Sequence, residues 1–274
     1  LGDIVNSTPV VSSPLDDYGY RSLSGTIGSS YGTFLENKRT NDTRYMVYVG
    51  ANDGMLHAFD GGMDADNVMD SNGGEEVFGY IPTTAIGHMG NLLFPYDPTD
   101  RSDQKFAHRY YVDGPVTVSD ACLGNCPGVT SWRTVLVGTA GAGGRSVFAL
   151  NVTDPDSFGT ADRLWEISDL NTTLAADVRN NIGHVLGEPV IVPIKTRAGT
   201  TRWKAIFGNG YNSASGKAVL FVVEIKTGTP VIEMIEAVET SAGVPSGSNG
   251  LGNIVAIDRW GGPSLTGSFR DGFA

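Results

Sequence analysis

The chain has 274 residues, among them 37 glycines and 13 prolines; 40% are hydrophobic, 18% are charged, and the formal charge is −11. That apolar share is enough for a sizeable core and excludes a disordered chain, while the glycine share points to many tight turns and the lack of a Gly-X-Y period excludes collagen. The negative charge argues against nucleic acid or an anionic membrane as the main partner, because phosphate groups are bound by basic stripes, and no apolar run is long enough to span a bilayer.

One pattern recurs along the chain. The first copy has a proline-containing run, Ile4 to Val11, then two β-type runs, Tyr45-Met-Val-Tyr-Val-Gly50 and Met55-Leu-His-Ala-Phe-Asp60, joined by the turn Ala51 to Gly54, and a fourth apolar run, Glu76 to Ile81. In the second copy these become Tyr111 to Val118, Trp132 to Gly138, Ser146 to Asn151 and Leu164 to Ile167. In the third they are Val185 to Val192, Trp203 to Gly208, Ala218 to Glu224 and Val231 to Ile235. Four short strands per unit with turn residues between them are the signature of a propeller blade, and the proline fits a strand end, where no ladder donor is missed. The predicted fold is all-β, part of one β-propeller domain, with blades at about 1–81, 110–167 and 183–236.

Between the copies lie long connections at 12–43, 61–75, 82–109 and 168–183, predicted as loops. Ala175 to Arg179 reads as a short helical turn, and no long helix is predicted. A fourth copy opens at Ser248-Asn-Gly-Leu-Gly-Asn-Ile-Val-Ala-Ile-Asp258 and would occupy 248–274, incomplete. Because an open ring leaves unpaired strand edges, the expectation is a chain that continues past residue 274. The start, Leu1-Gly2-Asp3, likewise reads as that of a processed chain or a fragment.

Cys122 and Cys126 flank Leu-Gly-Asn. The spacing suits a short loop disulfide, which implies an oxidising compartment; two thiolates on a metal are the other reading, but no second cysteine pair completes such a site. The segment Asp64-Ala-Asp66-Asn-Val-Met-Asp70-Ser-Asn72-Gly-Gly-Glu75 puts oxygens at positions one, three, seven, nine and twelve of a calcium-loop register. Val68 and Met69 stand where a ligand and a glycine are expected, so a solvated acidic hairpin is the plainer reading and a calcium site through Asp64, Asp66, Asp70 and Glu75 the alternative. No nucleophile elbow, His-Glu-x-x-His or P-loop occurs, and Gly141 to Gly144 is followed by a β-type run instead of the helix a phosphate cradle needs. His57, in an alternating strand, reads as a packing or hydrogen-bonding residue. The chain reads as a non-enzyme.

Val47-Tyr-Val-Gly-Ala-Asn-Asp-Gly-Met-Leu-His-Ala-Phe-Asp60 resembles the blade motif of the PilY/PilC family, the type IV pilus tip-associated biogenesis proteins. Leu1 to Ser7, Arg109 to Gly114, Trp132 to Gly138, Gly141 to Arg145, Phe148 to Pro155 and Ile206 to Ser213 agree in order, so the resemblance covers nearly the whole chain. It implies a quinoprotein-like β-propeller near the C-terminus of a large exported protein. It further implies an adhesin and pilus biogenesis factor at the pilus tip on the bacterial cell surface, reached through the periplasm and outer membrane. The partners implied are minor pilins and a surface or host-cell receptor, with no nucleic acid and no direct membrane span. The family's calcium loop falls at Asp258 and Asp271, but residues 259–270 between them hold no carboxylate, so the ligand set departs from the pattern. No quinone cofactor is expected, since the related quinone-dependent dehydrogenases commonly carry adjacent cysteines, and this chain has Cys-x3-Cys. Such a dehydrogenase, or a periplasmic assembly scaffold, is the alternative function.

Overall fold

Three prolines mark where the three sheets begin. Pro9 immediately precedes β1 (Val10–Ser12), Pro115 precedes β5 (Val116–Cys122) and Pro189 precedes β9 (Val190–Lys195). A proline at this position costs no ladder hydrogen bond and stops the strand from extending backwards. The strands are therefore shorter than the sequence runs: Ile4 to Thr8, Tyr111 to Gly114 and Val185 to Glu188 lie outside them, as lead-in segments.

The structure, a computed structural model, describes residues 2–41, 44–69, 71–94, 99, 106–124, 126–196, 199–237, 249–257 and 269–270. After β1 come α1 (Thr26–Asn41), β2 (Arg44–Gly50), β3 (Leu56–Asp64), β4 (Glu76–Tyr80) and α2 (Thr83–Ile86). The second unit is β5, β6 (Trp132–Thr139), β7 (Ser146–Asn151) and β8 (Arg163–Ser168), followed by α3 (Ala176–Asn181). The third is β9, β10 (Thr201–Gly208), β11 (Val219–Glu224) and β12 (Ile232–Glu236), with β13 (Phe269–Arg270) parallel to β9. Each unit forms one antiparallel sheet in sequence order, β1-β2-β3-β4, β5-β6-β7-β8 and β9-β10-β11-β12.

The middle sheet is covered on both faces, which explains why its strands read as nearly continuous apolar runs. Leu136, Phe148 and Leu150 join Tyr48, Leu56 and Ala58 of the first sheet in one core. Val135, Val137, Val147 and Ala149 face the other way and join Trp203, Ala205, Phe207 and Phe221 of the third. The period-2 alternation of each strand thus sorts its side chains between two cores.

The connection 12–43 contains a 16-residue helix, α1, where the sequence predicts only loop. Its buried face, Tyr31, Phe34, Leu35 and Lys38, has helical spacing, but two glycines and several Ser/Thr residues lower its propensity, and the lysine interrupts the apolar stripe. Tertiary packing overrides these signals. The helix lies on the core of the second and third sheets, where Tyr20, Tyr31, Trp132 and Trp203 form one aromatic cluster with ring centroids 4.6 to 6.0 Å apart. The Trp132 indole N–H donates to Ser30 Oγ at 3.0 Å.

Lys38 is buried because it has a partner. Its Nζ lies 3.3 Å from Asp120 Oδ1 in β5, and the two side chains are 3% and 0% exposed. Asp120 also accepts from Tyr31 Oη at 2.9 Å and Thr134 Oγ1 at 2.8 Å. Burial pushes the Asp120 carboxyl up from its ordinary range, opposed by Lys38, Thr134 and Tyr31.

Of the fourth sequence copy, residues 249–257 and 269–270 are described; 249–257 form no regular strand, with Leu251 in an isolated bridge to Gly210, and 269–270 form β13. Lys38→Met leaves Asp120 buried without its cation and is expected to cost about 3–5 kcal/mol of unfolding free energy. Denaturant titration checks this, and the double variant Lys38→Met, Asp120→Asn is expected to recover most of the loss.

Candidate functional site

In an antiparallel meander the connection between the second and third strands returns to the end where the first strand begins. The three such turns and the lead-in segments therefore share one end of the molecule, and they are joined there by hydrogen bonds. Val112 N–H donates to Ala51 O at 3.3 Å and Tyr111 N–H to Asn52 Oδ1 at 3.0 Å, seating the second lead-in on the first sheet's turn. Thr139 Oγ1 donates to Val185 O at 2.9 Å, which seats the third lead-in on the second sheet. Gly210 N–H donates to Leu251 O at 2.9 Å and Leu251 N–H to Asn209 Oδ1 at 3.0 Å, so residues around 251 sit on the third sheet's turn in the same way. Buried Asp113 links the first two lead-ins by accepting from the backbone N–H and the side-chain amide of Asn6.

All four histidines lie at this rim. His57 Nδ1 is 2.7 Å from Glu76 Oε1, and its Nε2 is 3.0 Å from Asp53 Oδ2. Burial alone would lower the His57 pKa, but the bonds to Glu76 and Asp53 outweigh it and the net shift is upward. His108 Nε2 meets Asp3 Oδ2 at 2.9 Å, which holds the Asp3 carboxyl below its usual range. Arg109 Nη1 donates to His88 Nδ1 at 3.2 Å, so that nitrogen carries no proton, whereas His184 Nδ1 donates to Gly141 O at 3.1 Å. These bonds to carboxylates, a guanidinium and a carbonyl hold the rings in place. His57 is thus the hydrogen-bonding residue its strand position indicates.

A groove of about 850 Å³ runs along the inner strands β5 and β9. Tyr18, Tyr20, Thr117, Ser119, Glu188 and Asn253 contribute its polar and aromatic lining. The rim is built of turns and lead-ins, and the groove is concave with a mixed polar and apolar lining.

Asp64, Asp66 and Glu75 are the predicted metal ligands that lie among the described residues. Asp64 Oδ1 accepts from the backbone N–H groups of Asp66 and Val68, at 2.9 and 2.8 Å, and so is used by the hairpin itself. Asp66 and Glu75 lie along the same β3–β4 ribbon, and among the described residues no three His, Cys, Asp or Glu side chains are placed to hold a metal ion. Asp70, Asp258 and Asp271 lie outside the described residues. Cys122 and Cys126 form a disulfide, with Cα atoms 5.6 Å apart, at the end of β5 opposite the rim. Sequence reading missed the buried Asp120–Lys38 pair and the lead-in contacts; the recurring proline was the available signal for the latter.

A family model described as the PilY1 beta-propeller domain matches residues 1–259. The chain belongs to the PilY1 β-propeller domain family. Among its relatives is a protein of Xylella fastidiosa named Type IV pilus biogenesis factor PilY1 homolog, 40% identical over 269 residues, which cover 94% of this chain and 16% of that protein. The Type IV pilus biogenesis factor PilY1 of Pseudomonas aeruginosa is 35% identical over 247 residues, covering 90% of this chain and 18% of the relative. The crystal structure of the Pseudomonas aeruginosa PilY1 C-terminal domain superposes with a TM-score of 0.59 at 31% identity, covering 89% of this chain and 39% of that one. The PilY1 propeller family thus accounts for the three sheets, while the chain spans less than a fifth of the length of these named relatives. Among the described residues no helix is long and apolar enough to cross a membrane.

Asp113→Ala removes a buried charged acceptor from two Asn6 donors and is expected to cost roughly 1.5–3 kcal/mol, read as a lower denaturation midpoint. Replacing both cysteines with serine opens a very short loop; the chain-entropy relation puts the loss at about 2 kcal/mol, checked by comparing the melting of wild type with and without reductant.

Proposed function

We propose that this chain is the propeller module of a type IV pilus biogenesis factor, working by binding and not by catalysis. The observation that carries this reading is identity of 35–40% to two PilY1 proteins across at least 90% of the chain. The three packed sheets supply a rigid body, and the rim and inner groove supply the contact surface. Minor pilins at the pilus tip are the proposed partners, with adhesion to a surface or a host-cell receptor as the second role. The Cys122–Cys126 disulfide is consistent with passage through the oxidising periplasm to the bacterial surface.

Calcium control rests on the family resemblance and on Asp258 and Asp271. It requires a rise in melting temperature at millimolar calcium that Asp258→Asn abolishes. For the main reading, the intact protein should retain minor pilins in a pull-down, and removal of the residues corresponding to this chain should abolish both that retention and surface pili. Normal piliation and adhesion after the removal would refute it.

A further inference from the structure

His57 has carboxylates against both ring nitrogens. Glu76 Oε1 stands 2.7 Å from Nδ1, and Asp53 Oδ1 and Oδ2 stand 3.1 and 3.0 Å from Nε2. A neutral imidazole owns a single N–H, so one of these contacts would set a ring lone pair against a carboxylate oxygen; only the imidazolium donates to both. The ring is 11% exposed and stacks on Phe59 with centroids 5.7 Å apart, which fixes its plane between the two acids.

The two acids belong to different elements. Glu76 opens the edge strand β4, and Asp53 lies in the Ala51–Met55 turn, where its Oδ1 also accepts the Met55 N–H at 3.2 Å. The same turn seats both neighbouring lead-ins: Asn52 N–H donates to Asp3 O, Asn52 Oδ1 accepts from Tyr111 N–H, and Ala51 O accepts from Val112 N–H. Asp3, on the lead-in packed beside Asp53, bonds His108, so Asp53 and Glu76 are the charged groups that face the His57 ring.

We propose that His57 is a protonation-dependent latch: as imidazolium it pins the Ala51–Met55 turn to β4, and its deprotonation on the alkaline side loosens the turn on which the second sheet is seated. The sign follows from linkage. The folded pKa lies above the ordinary value of about 6.5, so the stabilisation is complete below that pH and is lost as pH rises through the folded value. This places a pH-responsive joint between the first two sheets.

Hydrogen exchange read by mass spectrometry on the intact protein tests it, between pH 6 and pH 9 and corrected for intrinsic rates. In wild type, peptides covering residues 51–60 and 110–114 should show protection that falls several-fold as pH rises. His57→Gln should show low protection with no such fall, and Glu76→Gln should move the fall to lower pH. Wild-type protection that stays flat overturns the proposal, as does a fall that His57→Gln preserves. Should His57→Gln not fold, an unmoved transition in Glu76→Gln overturns it.

Discussion

Where the second lead-in crosses the first sheet's turn, and where residues around 251 cross the third sheet's, main chain comes close against main chain. A Cβ placed on Gly50 would stand 2.3 Å from Val112 O, and one on Gly208 would stand 2.3 Å from Leu251 O. Neither glycine needs an unusual φ; each needs the absence of a side chain so that the next segment's carbonyl can close in. The distance at which neighbouring sheets sit follows from this contact, and so does the depth to which side chains of one sheet reach into the next.

With that distance fixed, alternation along the strands fills two cores. The first and second sheets share one built of aliphatic residues, Tyr48 and Phe148, whereas the second and third share a larger one that also takes in α1. The larger core carries a charge at its margin, where Asp120 and Lys38 neutralise each other inside a hydrogen-bonded set with Tyr31 and Thr134. Such a pair adds little net stability over an apolar replacement, but loss of one partner leaves the other charge buried and uncompensated. At the rim, the histidines bridge turns, lead-ins and edge strand.

The second, third and fourth strands of each sheet were legible in the sequence to within a few residues, because a period of two between turn residues has few other readings, whereas each first strand starts five or six residues later than its apolar run, after the proline. The middle strands, Trp132–Thr139 and Ser146–Asn151, were clear even without alternation, since burial on both faces gives short continuous apolar runs bounded by glycine. Helix α1 was not legible. Lys38 looks like an exposed residue until Asp120, from another sheet, is placed beside it, and the stripe of Tyr31, Phe34 and Leu35 is too short to stand alone. In the acidic segment 64–75, Asp64 accepts from the backbone N–H groups of Asp66 and Val68, the habit of a turn-forming aspartate, which composition alone does not specify.

The sequence by itself determined the β class, the repeat, the proline at the head of each sheet and the family, because these are carried by local pattern and by order along the chain. Only the tertiary structure decided which glycines mark a close approach, that a lysine belongs in the core, and that His57 lies between two acids from different elements. Those are contacts between distant segments, set by packing geometry that no local pattern encodes.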